Sequence, residues 1–194
     1  MLFVYRFLFP TMWLAWIVYW LWASRHAKPS ERRESLGSRL LHALPLVLAV
    51  WLLWSKRVPF ALLNDKLFPW APWEFWTAAL TTAAGMLFTV WARVHLGRNW
   101  SGVVTIKQDH ELIETGPYAV VRHPIYTGLL VAFIGSALAL DEWRGFLAVL
   151  IAWAAFWRKL WLEERWMTER FGERYVAYSE RVPALVPFWR GKLA

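Results

Sequence analysis

No cysteine occurs among the 194 residues. That excludes a disulfide framework, a thiolate nucleophile and any cysteine-ligated metal site. Charge is sparse as well: 19% of the chain is Asp, Glu, Lys or Arg, against 58% apolar residues. No Gly-x-Gly-x-x-Gly opens a helix after a strand, so the sheet-based nucleotide fold of soluble cofactor enzymes is not indicated. Internal repeats and low-complexity linkers are absent too. Acidic residues number 14 against 22 basic ones, a net charge of +8. In a soluble protein that excess would suggest nucleic acid. Here the basic residues flank apolar blocks, where anionic lipid is the nearer partner, and no nucleic-acid role is expected.

What the chain has in abundance is long apolar runs and 17 tryptophans. Many of these, such as Trp54, Trp70, Trp73, Trp91, Trp157 and Trp161, stand at the edges of the runs. An indole has an apolar body and one N–H donor, and so favours the headgroup layer of a bilayer. A span needs about 20 mostly apolar residues to cross a hydrocarbon core about 30 Å thick. The candidates are Phe7–Ala23, Leu40–Ser55 (with a start near Leu36), Phe75–Ala92, Ile125–Leu140 and Phe146–Trp157. Asp141 to Gly145 reads as a tight polar turn, so the last two should form an antiparallel hairpin. The fifth helix should continue past the bilayer through Trp161 and Met167 to Phe171, with Gly172 as its stop. The expected fold is all-α, an integral membrane helical bundle of about five transmembrane helices in one domain over 1–194. Three spans occupy 1–92, and 93–194 carries the chemistry. The first span has no cleavage-site pattern and reads as a retained anchor. Seventeen of the 22 Lys and Arg fall in the loops at 25–39 and 93–124 and in the tail after 157. Arg6, Lys56, Arg57, Lys66 and Arg144 fall on the other side. By the positive-inside bias the tail is cytoplasmic and the N-terminus outside.

The polar singularities lie in two of the stretches assigned to the cytoplasm. The first contains Gly97-Arg98-Asn99-Trp100, His110-Glu111-Leu112 and Gly116-Pro117-Tyr118, and ends in Arg122-His123-Pro124-Ile125-Tyr126-Thr127-Gly128. Pro124 suits the first turn of the fourth helix. Its N–H groups and dipole would then face the cytoplasm as a site for a carboxylate or phosphate. The same spacing equally fits an ordinary interfacial helix start, with Arg122 and His123 serving lipid headgroups. The second stretch holds Glu163-Glu164, then Phe171-Gly172-Glu173-Arg174-Tyr175, Tyr178 and Arg181-Val182-Pro183. Adjacent carboxylates point about 100° apart on a helix, so one can face a ligand while the other pairs elsewhere. On residues alone a charged helix face is favoured, since Lys159 and Glu163 stand at i,i+4.

Together the two stretches, HELIETGPYAVVRHPIYTG from His110 and EERWMTERFGERYVAYSERVPALVP from Glu163, resemble the isoprenylcysteine carboxyl methyltransferase family, relatives of the phospholipid methyltransferases. The likeness runs from about Arg98 to Pro187. It implies a cytoplasmic S-adenosyl-L-methionine pocket formed by the loop before the fourth helix and the C-terminal tail, with no metal. By position it implies that His110, Leu112, Gly116 and Tyr118 line the adenosyl side. His123, Pro124 and Tyr126 would lie near the methionine part, and Glu163 or Glu164 would meet the ammonium. Arg181 matches the family arginine before Val-Pro, a candidate for orienting an acceptor carboxylate. Lys159 departs from the family, which often has arginine there.

A sulfonium donor is already activated. A carboxylate or thiolate acceptor then needs alignment and exclusion of water rather than a base. The expected acceptor is lipophilic, such as an isoprenylcysteine, and enters from the bilayer. A phospholipid amine or a small thiol is the alternative acceptor. A membrane NADPH-dependent reductase ranks below these, because this chain has Pro124-Ile125-Tyr126-Thr127-Gly128-Leu129 where sterol reductases favour Asn-Tyr-x-Gly-Asp. A non-catalytic membrane sensor is the remaining class. The charge count makes one direct prediction. Reporter fusions at residues 30, 65, 110, 143 and 190 should read in, out, in, out, in, and a reversed pattern would move the pocket to the other face.

Overall fold

The computed structural model describes residues 2–25, 30–68, 71–100, 105–107 and 111–187. Six helices account for most of them: α1 (Leu2–Ser24), α2 (Leu36–Trp54), α3 (Pro72–Leu96), α4 (Pro124–Leu140), α5 (Trp143–Phe171) and α6 (Glu173–Arg181). α1, α2, α3 and α5 are each long and apolar enough to cross a membrane. α4 has 17 residues, all uncharged, which is the lower limit for a span. The chain is therefore a multi-pass integral membrane protein of the expected helical class.

Local chemistry sets the helix ends. Ser35 caps α2 by accepting from Ser38 N at 3.2 Å, an oxygen satisfying one of the orphan amides of a first turn. Pro72 and Pro124 each open a helix, where a missing N–H costs nothing. Gly172, at φ 55°, ends α5 in a backbone conformation that side chains resist. α5 spans 29 residues, about 43 Å at 1.5 Å per residue, which exceeds the hydrocarbon thickness. Its last turns therefore stand beyond the apolar layer, carrying Glu163 and Glu164 with them.

The two ends of the bundle are tied separately. At one end a small antiparallel ribbon pairs Ser30–Arg33 (β1) with Thr105–Lys107 (β2), a feature with no signal in the apolar pattern. It joins the loop before α2 to the loop before α4. At the other end Asp141 turns in the left-handed conformation, φ 52°. Leu67 N donates to Asp141 O at 3.3 Å, and Lys66 Nζ to Leu140 O at 2.6 Å. Arg144, buried at the start of α5, binds Glu142 at 2.5 Å, the Leu52 carbonyl at 3.0 Å and the Ser55 carbonyl. Thus α2, the 56–68 loop and the α4–α5 turn share one end.

The tightest packing joins α3 to α4 through small residues. A Cβ on Gly85 would lie 2.5 Å from Ala132 N, and one on Gly128 would lie 2.6 Å from Gly85 O. One on Gly135 would meet Thr82 N at 2.5 Å and Ala78 O at 2.7 Å. In a bilayer, where apolar side chains gain nothing by leaving lipid, such backbone approach is what holds helices together. Gly135→Ala should therefore lower the thermal stability of the detergent-solubilised protein by about 1–3 kcal/mol, the usual cost of overpacking. An unchanged melting temperature would show that the two helices have room for a methyl group at this seam.

Candidate active site

The site is assembled where α4 begins and α5 leaves the apolar layer. Glu163 and Glu164 point in different directions, as neighbours on a helix must. Glu164 accepts from Arg122 Nε at 2.8 Å and from Arg122 Nη2 at 2.7 Å, and lies 3.0 Å from His123 Nε2. Glu163 accepts from the Tyr126 hydroxyl at 2.6 Å and lies 3.5 Å from His123 Nδ1. His123 thus stands between the two carboxylates, one at each ring nitrogen. Burial disfavours its charge, but hydrogen bonds to Glu163 and Glu164 outweigh burial and raise its pKa above 6.5.

Behind this charge pair a ring stack runs inward. His123 lies over Tyr126, centroids 5.6 Å apart, and Tyr126 over Phe156 at 5.1 Å. The Lys159 ammonium sits 5.3 Å from the Tyr126 centroid, a cation over a ring face. Lys159 and Phe156 lie one turn or less apart on α5, so the polar site passes directly into the apolar core.

The tail after α6 locks the assembly. Arg122 N donates to Pro183 O at 2.8 Å, His123 N to Ala184 O at 3.0 Å, and Thr127 Oγ1 to Leu185 O at 2.7 Å. Arg122 Nη1 also reaches the carbonyls of Ser179, at 2.7 Å, and Val182. The Tyr178 hydroxyl donates to Tyr118 O at 2.6 Å, and burial raises the pKa of both phenols, so they remain neutral. These contacts take the two amides that precede α4, Arg122 N and His123 N, and not the first-turn amides of the helix itself, on which the anion-site expectation rested.

A cavity of about 740 Å³ opens on this site. Its polar end is lined by Glu111, Leu112, Tyr118, Arg122, His123, Pro124, Tyr126, Lys159 and Glu163. Its other end runs between α1, α2, α4 and α5, past Trp13, Ile17, Leu46, Val50, Leu129 and Phe133. Of the residues singled out by sequence, then, Leu112, Tyr118, His123, Pro124, Tyr126 and Glu163 share the cavity. Glu164 sits behind it, committed to Arg122 and His123. Gly116 is also outside: its φ is 60°, and a Cβ there would meet the His95 ring at 2.7 Å, so it serves loop packing. Arg181 lies on the exposed face of α6, paired with Glu114 at 2.9 Å, and the structure does not bring it to the cavity. His110 falls outside the described residues. Among the described residues no cluster of three His, Asp or Glu could hold a metal.

Several lining residues carried no motif. Trp13, Trp16 and Trp20 line the cavity from α1 at spacings of three and four, which place them on one helix face. Their indoles are fixed: Trp13 Nε1 donates to Ser136 Oγ at 3.0 Å, Trp16 Nε1 to Thr89 Oγ1 at 2.7 Å. That spacing was the available signal. Tyr175 and Tyr178 of α6, present in the second motif without an assigned role, also line the cavity.

Residues 73–174 match the model of the phospholipid methyltransferase family. The chain is 29% identical over 162 residues to protein-S-isoprenylcysteine O-methyltransferase B of Arabidopsis thaliana, covering 76% of this chain and 82% of that protein. It is 33% identical over 99 residues to protein-S-isoprenylcysteine O-methyltransferase of Schizosaccharomyces pombe, covering 50% of this chain and 42% of that one. Its fold is similar to that of the eukaryotic intramembrane Ras methyltransferase isoprenylcysteine carboxyl methyltransferase, with TM-score 0.57 and 21% identity over 79% of this chain. It spans about half of that structure, 52%.

The pair around His123 has a pH signature. Its raised pKa means that protonated His123 adds stability in full below about pH 6.5, and that this contribution is lost as pH rises through the higher folded value. The parent should therefore melt above His123→Gln at low pH, and the gap should narrow as pH rises past that value. A gap that is constant with pH would mean that His123 is neutral in the fold.

Proposed function

The chain belongs to the phospholipid methyltransferase family and is a membrane methyltransferase, and we propose that it transfers the methyl group of S-adenosyl-L-methionine to a carboxylate on a lipophilic acceptor, such as an isoprenylcysteine. The observation that carries this reading is the two-sided cavity. One end is polar and bears Glu163, His123 and Lys159, and the other is an apolar passage between helices.

The residues at the polar end fit a cationic cofactor. When bound, S-adenosyl-L-methionine supplies a sulfonium-activated methyl group. Glu163 lies in the cavity wall with one oxygen held by Tyr126, so its charge faces the site in a fixed orientation. The aromatic lining from Tyr118, Tyr126 and Trp166 suits a cation, which is attracted to ring faces. Glu164 acts from behind, holding Arg122 and His123 in place. Protonated His123 keeps Glu163 directed, its Nδ1–H facing Glu163 and its Nε2–H facing Glu164.

The acceptor side follows from Lys159. It lines the cavity where polar and apolar parts meet. A lipid tail lying among Leu46, Val50, Leu129 and Phe133 would bring its head to this ammonium. A cation there attracts a carboxylate and repels an amine headgroup, which favours carboxyl over phospholipid-amine transfer. Lys159 therefore takes the orienting role that position suggested for Arg181. No base is required; the chain's contribution is alignment, charge complementarity and exclusion of water. Since both the N-terminal helices and the C-terminal motifs line the cavity, residues 1–194 act as one unit. We place the polar end and the tail in the cytoplasm, by the basic-residue bias.

Purified protein should bind S-adenosylhomocysteine in calorimetry and show no comparable affinity for NADPH. Glu163→Gln should weaken that binding about ten- to a hundredfold, the worth of a charge-assisted hydrogen bond in a dry site, measured on the fraction of the variant that remains folded. Arg181→Lys, on an exposed pair, should change turnover of a prenylated cysteine analogue by less than Lys159→Gln does. A preference for NADPH would move the protein to the reductase class. Equal binding by Glu163→Gln would remove that carboxylate from the cofactor site.

A further inference from the structure

One cavity residue has no place in the chemistry above. Asn99, in the short 3₁₀ turn that follows α3 (Gly97–Asn99), lines the same cavity as Leu96, Trp100, Leu112 and Tyr118. Its Oδ1 is buried and has no hydrogen-bond partner among the described residues. Buried amide oxygens are rarely left unpaired, because the lost hydration is not recovered. An orphan acceptor in a cavity wall calls for a donor on whatever fills the cavity.

The surroundings narrow the class of donor. Trp100 is held by the Arg93 guanidinium, 4.6 Å from its ring centroid, and by the edge of Trp20 at 5.5 Å. Arg93 is itself buried and fixed, donating to Gly97 O and to Ala23 O, both at 2.6 Å. It thus clamps the turn that carries Asn99 to the end of α1. On the other side, the Tyr118 ring is backed by His95, centroids 6.4 Å apart and nearly parallel. The amide therefore sits in a cavity wall next to Trp100, whose ring is fixed by Arg93 and Trp20, and shares that cavity with Tyr118. Such a wall suits a flat heteroaromatic ring that carries an amino group. Adenine presents that edge: a 6-amino donor beside a ring-nitrogen acceptor, the pattern that an Asn amide matches with two bonds.

We infer that Asn99 is a specificity residue for the adenine ring of the methyl donor, its carboxamide oxygen accepting from the 6-amino group while Trp100 and Tyr118 flank the base. This rests on the S-adenosyl-L-methionine reading above. Asn99 makes no contact with the reacting atoms, so its role is in affinity and base selection, not in the methyl-transfer step.

The test uses the full-length protein in detergent and two probes, S-adenosylhomocysteine and its analogue with hydrogen in place of the 6-amino group. The parent should bind the analogue about three- to tenfold more weakly, the worth of one neutral hydrogen bond. Asn99→Leu should bind both probes equally, at the level of the parent with the analogue. The analogue arm needs no variant and so survives a folding defect in Asn99→Leu. Equal binding of both probes by the parent overturns the assignment, as does discrimination that persists in Asn99→Leu. If Asn99→Leu leaves S-adenosylhomocysteine binding intact but raises KM for the acceptor, the amide belongs to the acceptor site and the assignment also fails. If the parent binds neither probe, the cofactor reading itself falls; in the other outcomes that reading stands.

Discussion

Two carboxylates stand side by side at the end of a membrane helix, and most of the site exists to accommodate them. A buried charge is tolerated only when it is paired and hydrogen-bonded. Glu164 meets this demand through Arg122 and His123, and Glu163 through Tyr126 and His123. Each partner comes from the five residues Arg122–Tyr126, at the start of α4. That segment can supply all of them because Pro124 turns the chain from loop into helix there. Arg122 is left pointing back towards the tail, and Tyr126 inward.

The same requirement explains the tail. Arg122 has more donors than Glu164 can use, and the Ser179 and Val182 carbonyls take the remainder. The segment at 182–185 then takes the Arg122 and His123 amides just before α4 with the Pro183 and Ala184 carbonyls. α6 is short, with its apolar face formed by Tyr175 and Tyr178 packing on Leu112. Loop, tail and helix end therefore depend on one another, and the ion pairs at Glu164 are where they meet.

The cavity depends on a different constraint. α3 and α4 approach so closely, over Gly85, Gly128 and Gly135, that no ligand space remains between them. α1 is joined mainly through the indole bonds of Trp13 and Trp16, with most of its surface outside the protein core. Close contact on one side and sparse contact on the other leave the passage between α1, α2, α4 and α5. It leads from the aliphatic side chains to Lys159, joining the fold to the proposed lipid acceptor.

Much of this was legible in the sequence. Apolar run length placed every span, because a bilayer imposes one length on any helix that crosses it. The Gly172 stop and the Asp141 turn could be read because backbone preference there is local. The Arg-His-Pro-x-Tyr and Glu-Glu motifs, taken with the family likeness, pointed to one site. What sequence could not decide was which members of each motif face the cavity. Glu163 and Glu164 are chemically identical neighbours, and only the direction of Arg122 separates their roles. Arg181 matched a pattern yet lies outside, because α6 turns that face to solvent, while Lys159 was hidden in an ordinary i,i+4 pair. Residues of α1 and α2 line the passage without any motif, since apolar contact requires shape and not a particular residue order. The sequence by itself determined the apolar spans and the charged chemistry, while the short helix α6 and the β1–β2 ribbon emerged only in the structure. Tertiary packing decided which charges are buried together, and that follows from the long-range pairing of the Arg122–Tyr126 segment with the end of α5 and the tail.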